Sequence, residues 1–204
     1  MPLPRRGFLA TLGAFAGAAA IPSRESLHAQ AAQGWDMSWL DGLTGKHKQV
    51  FDLGDVEVGL RVVMNWLDAW QNVYGLKHPD INAVIGIASR GFPINAGDEL
   101  YRKYPIGEMW KVNDPDTGKP AVRNIFADGG QSKVRPLQAR GAAFWMCNNA
   151  LVNMSGRIGT AVGKPAPEVY TDLRAGLLAG VIVVPAHTML LGLCQERGCT
   201  YEAI

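Results

Sequence analysis

The stretch Ile81-Asn-Ala-Val-Ile-Gly-Ile-Ala88 decides the fold class of this 204-residue chain. It is a nearly continuous apolar run rich in β-branched residues, which is typical of a strand buried on both sides in a parallel sheet. His78-Pro79-Asp80 breaks the chain directly before it. We therefore predict a central sheet with both of its faces covered.

Strand and helix patterns alternate along the rest of the chain, from residue 46 onward. Three more strands are predicted, at Lys48–Asp52, Ala142–Cys147 and Val181–Val184. Helices are predicted after a cap at Asp55, where Val58, Val62, Leu67 and Trp70 share one face, and at Asp98–Lys103, Ser132–Arg140, Asn148–Val162 and Pro185–Arg197. Residues 105–130 hold three prolines and an Asn-Asp-Pro-Asp-Thr-Gly turn, so an insertion or long loop is expected there. The alternation predicts an α/β three-layer sandwich with a mostly parallel sheet of about five strands.

In such a sheet the ligand site lies where the carboxyl ends of the strands gather. Three strand ends carry polar residues: Ser89-Arg90-Gly91-Phe92, Cys147-Asn148-Asn149 and Pro185-Ala186-His187. We expect all three along one edge of the sheet. Arg90 suits an anionic ligand such as a sulfur oxyanion, and a plain surface turn is the alternative.

Cys147 is the first candidate for chemistry, because it ends an apolar strand and precedes a helix that opens with two asparagines. The helix dipole and free backbone N–H groups favour the thiolate, which is the nucleophile in sulfur chemistry. Asn148 or Asn149 can add a side-chain donor, and His187 can face the thiol as a base or as a metal ligand. The alternatives are an inert, buried Cys147 and a His187 that is merely hydrogen-bonded or turned to solvent.

Cys194 and Cys199 are five residues apart with Gly198 between them. They form either a local disulfide, if the helix ends there, or two unpaired thiols. The sequence contains no C-x-x-C, H-x-x-x-H or C-x-x-C-H motif, which argues against a local zinc site or c-type haem. A glycine-rich nucleotide loop is also absent. We therefore expect neither a metal nor a cofactor.

The first residues read as an export signal of the Tat type. Arg5 and Arg6 precede an apolar run over residues 8–21, and Ala29 and Ala31 supply a small-residue cleavage site. Removal of residues 1–31 leaves residues 32–204 as a single domain in the periplasm. The leader carries a net charge of +2, the same as the whole chain. The mature protein is then close to neutral, which argues against nucleic acid and against an anionic membrane as partners.

Several short motifs in the same order resemble proteins of the DsrE/DsrF-like family. They are Arg140–Cys147 with the helix that follows, Val181-Ile-Val-Val-Pro-Ala186, Gln195-Glu-Arg-Gly-Cys-Thr-Tyr201, and His47-Lys-Gln-Val-Phe-Asp52. The resemblance covers most of residues 46–204. It implies a small α/β fold, assembly as a trimer or hexamer, and transfer of sulfur as a cysteine persulfide, with Cys147 as the sulfur-bearing residue.

The chain departs from this pattern at His187, where glycine is usual, and at Cys199, where an aromatic residue is usual. The export signal and the 105–130 insertion also set it apart. The expected function is a periplasmic sulfur carrier or sulfurtransferase that works with a sulfur donor or acceptor protein. The alternative is a non-catalytic exported protein that binds a ligand, such as haem or a small anion, or serves assembly. Trp66, Trp70 and Tyr74 share one helix face and are expected in the core or in subunit contacts.

Overall fold

The protein is built on a five-stranded parallel sheet with the strand order β4-β3-β2-β1-β5. The computed structural model describes residues 34–54, 56 and 58–204. The strands are β1 His47–Leu53, β2 Ile81–Ile87, β3 Ala143–Cys147, β4 Val181–Val184 and β5 Thr200–Ala203. The predicted fold class and strand number are confirmed. The export signal and the Asp55 cap lie outside the described residues.

Eight helices accompany the sheet in the described part of the chain. They are α1 Gly59–Tyr74, α2 Phe92–Asn95, α3 Asp98–Lys103, α4 Ile106–Met109, α5 Val134–Ala139, α6 Asn148–Val162, α7 Ala166–Ala175 and α8 His187–Glu196. A 3₁₀ turn, Ser38–Gly42, precedes β1. Within the described ranges, no helix is both long and apolar enough to span a bilayer.

The two faces of the sheet are packed by different helices. Phe51, Ile85 and Phe144 point to the larger core, which contains the buried sides of α1, α6 and α7. Val84 and Trp145 point to a smaller core beneath α8 and the 3₁₀ turn. Because neighbouring side chains of a strand alternate between faces, both sides of β2 and β3 must be apolar. This is the physical reason for the continuous apolar run that indicated the fold.

The segment 105–130 is largely irregular, as expected for an insertion or long loop, and it is folded onto the larger core. It contains α4 and a single bridge between Asn113 and Pro120. Val112 and Ala121 are buried in the larger core. The carboxamide of Asn124 donates to the carbonyl oxygens of Ile94 and Ala96, at 3.0 and 2.6 Å. These bonds satisfy backbone groups that would otherwise be buried without a partner.

Candidate functional site

The three predicted strand ends lie at one edge of the sheet, as parallel topology requires. Cys147 ends β3 and is the N-cap residue of α6, while His187 begins α8 directly after β4. β3 and β4 are neighbours, with Cys147 opposite Val184 in the register. The start of α8 is therefore brought next to the end of β3.

The thiol of Cys147 accepts a hydrogen bond from the backbone of α8. The amide nitrogen of His187 lies 3.3 Å from Sγ. The thiol makes no capping bond to α6 itself, so the expectation that α6 amides hold it is wrong. The residue is 5% exposed. The sulfur therefore lies at the N-terminus of α8, beside a backbone N–H donor of that helix.

The imidazole of His187 is held by side chains from two strands. Trp145 Nε1 lies 3.1 Å from Nδ1, and Asp52 Oδ1 lies 2.8 Å from Nε2. An indole N–H can only donate, so Nδ1 is the acceptor and the neutral ring carries its proton on Nε2. That proton is donated to Asp52. Both ring nitrogens are thus engaged away from the thiol, and His187 meets Cys147 only through its backbone amide.

The network extends to the last strand of the sheet. Tyr201 on β5 donates its hydroxyl to Asp52 Oδ2 at 2.9 Å. This bond raises the pKa of Tyr201, because donation to a carboxylate favours the protonated phenol. The carboxylate of Asp52 therefore accepts one bond on each oxygen. We call Trp145, His187, Asp52 and Tyr201 the histidine network.

Gly86 gives the histidine network the room it needs. It lies between Asp52 and Trp145 in the register of the three central strands. A Cβ added at Gly86 would meet the Trp145 ring at 2.4 Å and the His187 ring at 3.0 Å. The indole thus crosses over the bare backbone of β2 to reach the imidazole. A side chain at residue 86 would occupy that space.

A cleft of about 680 Å³ opens in front of the network. Its lining includes Asp52, His187, Arg90 and the chain end at Ile204. His187 lines the cleft and also contacts Sγ through its amide, whereas Cys147 itself does not line the cleft.

A second recess of about 410 Å³ shares Arg90 with the first. It is also lined by Trp110 and Arg157, whose guanidinium lies 6.0 Å from the centroid of the Trp110 ring. Trp110 in turn donates its indole N–H to the carbonyl oxygen of Ser89 at 2.8 Å. The two arginines of the second recess suit a small anion. The first recess has one arginine, the Asp52 carboxylate and a largely apolar lining.

The other predicted site residues, Arg90, Asn148 and Asn149, do not share one environment. Arg90 is exposed at the mouth of both recesses, where an anion-binding residue was expected. Asn148 is buried, and its carboxamide oxygen accepts a 2.7 Å bond from Tyr170 on α7. It therefore joins two helices. Asn149 is exposed on α6.

Cys194 and Cys199 are free thiols in this structure. Both are buried in the smaller core, at the far end of α8 from His187. They lie at the other end of the helix from the cleft and contribute nothing to it.

The aromatic residues of α1 form a stack along one side of that helix, between the larger core and the surface. Trp70 packs on the His47 ring with centroids 4.0 Å apart, and Trp66 and Tyr74 flank it at 6.0 and 5.3 Å. Tyr74 is 68% exposed. The stack is half inside the core and half on the surface.

Sequence reasoning missed Asp52, Trp145, Tyr201 and Gly86 as site residues. Asp52 had a usable signal, since a carboxylate at a strand end on the cleft edge is polar where the strand is otherwise apolar. Trp145 had none, because an aromatic residue in a buried strand looks like core. No group of three or more His, Cys, Asp or Glu side chains is arranged to hold a metal among residues 34–54, 56 and 58–204.

Comparison with known proteins gives one weak structural likeness. No protein-family model and no curated protein matches the chain. Among solved structures, it is similar to a protein of unknown function, MTH1491, from Methanobacterium thermoautotrophicum. The identity is 17%, the alignment covers 78% of this chain and 100% of that one, and the TM-score is 0.40. A likeness this weak carries no argument about function.

Proposed function

We propose that the protein carries sulfur as a persulfide on Cys147 and passes it to an acceptor thiol. The observation that supports this best is the hydrogen bond from the His187 amide to the Cys147 sulfur. A buried cysteine that serves only as a small hydrophobe needs no such donor. The resemblance of the motif order to DsrE/DsrF-like proteins supports the same role for the same residue, and the predicted leader supports a periplasmic location.

The loading step is a displacement at sulfur. The Cys147 thiolate attacks the outer sulfur of a persulfide or polysulfide donor, a new S–S bond forms, and the donor's own S–S bond breaks. The electron pair of that bond leaves with the donor as its thiolate. In discharge, an acceptor thiolate attacks the outer sulfur, and Cys147 leaves as the thiolate. No external oxidant or reductant is needed in either step.

The surrounding residues prepare the thiol for this reaction. The His187 amide stabilises the thiolate before loading and again when Cys147 leaves. The histidine network fixes the start of α8, so the amide stays aimed at the sulfur. Arg90 at the mouth of the cleft favours anionic donors, which persulfides and polysulfides are at neutral pH.

The test is to incubate the mature protein, residues 32–204, with inorganic polysulfide and to map its modified cysteines by mass spectrometry. We expect the Cys147 peptide to gain one sulfur atom that is removed by cyanide and by an added thiol. In the control variant Cys147→Ser, the peptide that contains residue 147 should gain no labile sulfur. Loading at Cys194 or Cys199 with an unmodified Cys147 would overturn the proposal.

A second function is favoured by the two recesses around Arg90. A protein that binds a small anion there without sulfur chemistry would also place arginines at the cleft. Anion binding by the Cys147→Ser variant and sulfur loading of the unmodified protein distinguish the two functions. Thiosulfate or sulfite binding that survives Cys147→Ser, together with no sulfur loading in the unmodified protein, would favour the binding function.

A further inference from the structure

A second thiol site lies at the junction of α8 and β5. Cys194 and Cys199 are buried in the same small core, and the Cys199 amide donates to the Cys194 carbonyl oxygen at 3.0 Å. Gly198 between them has a φ of +82°, which lets the chain turn back at the end of the helix. The turn brings the two residues back to each other within the smaller core.

The two thiols have different environments. Cys194 is fully buried, whereas Cys199 is 6% exposed. The S–H of Cys194 is donated to Cys199, which lowers the pKa of Cys199, and the positive charges of Lys48 and Arg197 lower it further. The same bond and burial raise the pKa of Cys194. Cys199 is therefore the thiol that ionises first and the one that a reagent reaches first.

We propose that Cys194 and Cys199 are a dithiol that closes to an intramolecular disulfide by exchange with a small disulfide, and that the structure shows its reduced form. This site is independent of Cys147 and of the function proposed for it. The backbones of the two residues already meet in one hydrogen bond, so closure needs little movement of the main chain. The short turn supplies a high local concentration of the second thiol.

The reaction runs in two exchange steps. The Cys199 thiolate attacks the small disulfide, its S–S bond breaks, and one small thiolate leaves. Cys194 then gives its proton to that thiolate and attacks the Cys199 sulfur, releasing the second small thiolate. Two protein thiols are oxidised and one small disulfide is reduced to two thiols.

Closure would also reach the histidine network. The new bond would tie the end of α8 to the start of β5, and β5 carries Tyr201 two residues further on. Both ends of α8 would then be anchored, one through His187 and one through the disulfide. We expect the oxidised protein to unfold at a higher temperature than the reduced protein.

The experiment uses the mature Cys147→Ser protein and oxidised glutathione as the probe. We expect the loss of both free thiols and of the mass of two hydrogens. Trypsin cleaves after Arg197, so a disulfide would join the otherwise separate peptides 175–197 and 198–204. Finding that joined peptide, and its release by a reductant, supports the proposal.

Single variants test the order of attack. Cys194→Ser should stop with one glutathione on Cys199, and Cys199→Ser should leave Cys194 unmodified. If either variant does not fold, the peptide map of the Cys147→Ser protein decides alone. The proposal is overturned if that protein keeps both thiols until a denaturant unfolds it, or if it stops at a stable mixed disulfide.

Discussion

The replacement Asp52→Ala tests whether the histidine network holds the start of α8. It removes the acceptor for the His187 Nε2–H and for the Tyr201 hydroxyl. The His187 side chain is 12% exposed and that of Asp52 30%, so water replaces the first bond poorly. Tyr201 is 46% exposed, so water replaces the second bond well.

The first bond therefore sets the magnitude. A hydrogen bond to a charged group contributes about 1.5–3 kcal/mol, and we expect Asp52→Ala to lower the free energy of unfolding by that amount. For a domain of this size each 1 kcal/mol lowers Tm by roughly 2–4 °C. The expected loss is then about 3–12 °C, measured by calorimetry or by urea denaturation.

Asp68→Ala is the matched control. Asp68 pairs with Arg140 at 2.8 Å, but its side chain is 45% exposed, and such surface pairs contribute about 0–1 kcal/mol. In Asp52→Asn the carboxamide oxygen can still accept from His187, so this variant should lose less than half as much as Asp52→Ala. Equal losses for Asp52→Ala and Asp68→Ala would refute the idea that the network anchors α8.

Four further outcomes are expected. Gly86→Ala should lower stability by about 1–3 kcal/mol through the clash with the indole, and a melting temperature equal to that of the unmodified protein would contradict the observed packing. Burial raises the pKa values of Tyr101 and Tyr104 in the folded protein, so both residues ionise at a lower pH in the unfolded chain. The free energy of unfolding should therefore fall above about pH 10. A free energy from urea titrations that is unchanged between about pH 10 and 11 would disprove this. By light scattering at micromolar concentration the protein should be a trimer or hexamer through its aromatic helix face, and a monomer would rule this out. Replacing Arg5 and Arg6 with lysine should retain the precursor in the cytoplasm, and an undiminished periplasmic yield would remove the Tat assignment.

The strands that can be predicted from the sequence are those whose own residues show a clear pattern. β2 and β3 are covered on both faces, so their residues are apolar without interruption and stand out from the chain. β5 has the sequence Thr-Tyr-Glu-Ala and lies at an edge with most of its residues exposed. Nothing in its composition requires a strand, and pairing with β1 supplies the reason. The helix α7 escaped notice because Pro165 and Pro167 at its start read as a break.

The same distinction between local causes and long-range packing applies to the candidate site. Parallel topology alone predicts Arg90, Cys147 and His187 at one edge of the sheet, because the carboxyl ends of all parallel strands lie at that edge. The partner of each side chain depended on packing between distant segments. His187 and Asp52 are separated by 135 positions in the sequence, so no local spacing can indicate their contact. The donor to Cys147 comes from α8, not α6, because the turn after β4 lies against the end of β3.

The sulfur-carrier function requires a reactive Cys147 thiolate in the folded protein, where the residue is only 5% exposed. The most direct measurement is the rate at which iodoacetamide labels Cys147 at neutral pH, in the folded protein and in denaturant, with the labelled peptide identified by mass spectrometry. We expect labelling of the folded protein at least as fast as that of the unfolded chain, because the His187 amide stabilises the thiolate. No labelling until the protein unfolds would show that the core encloses an inert thiol and would contradict the sulfur-carrier function.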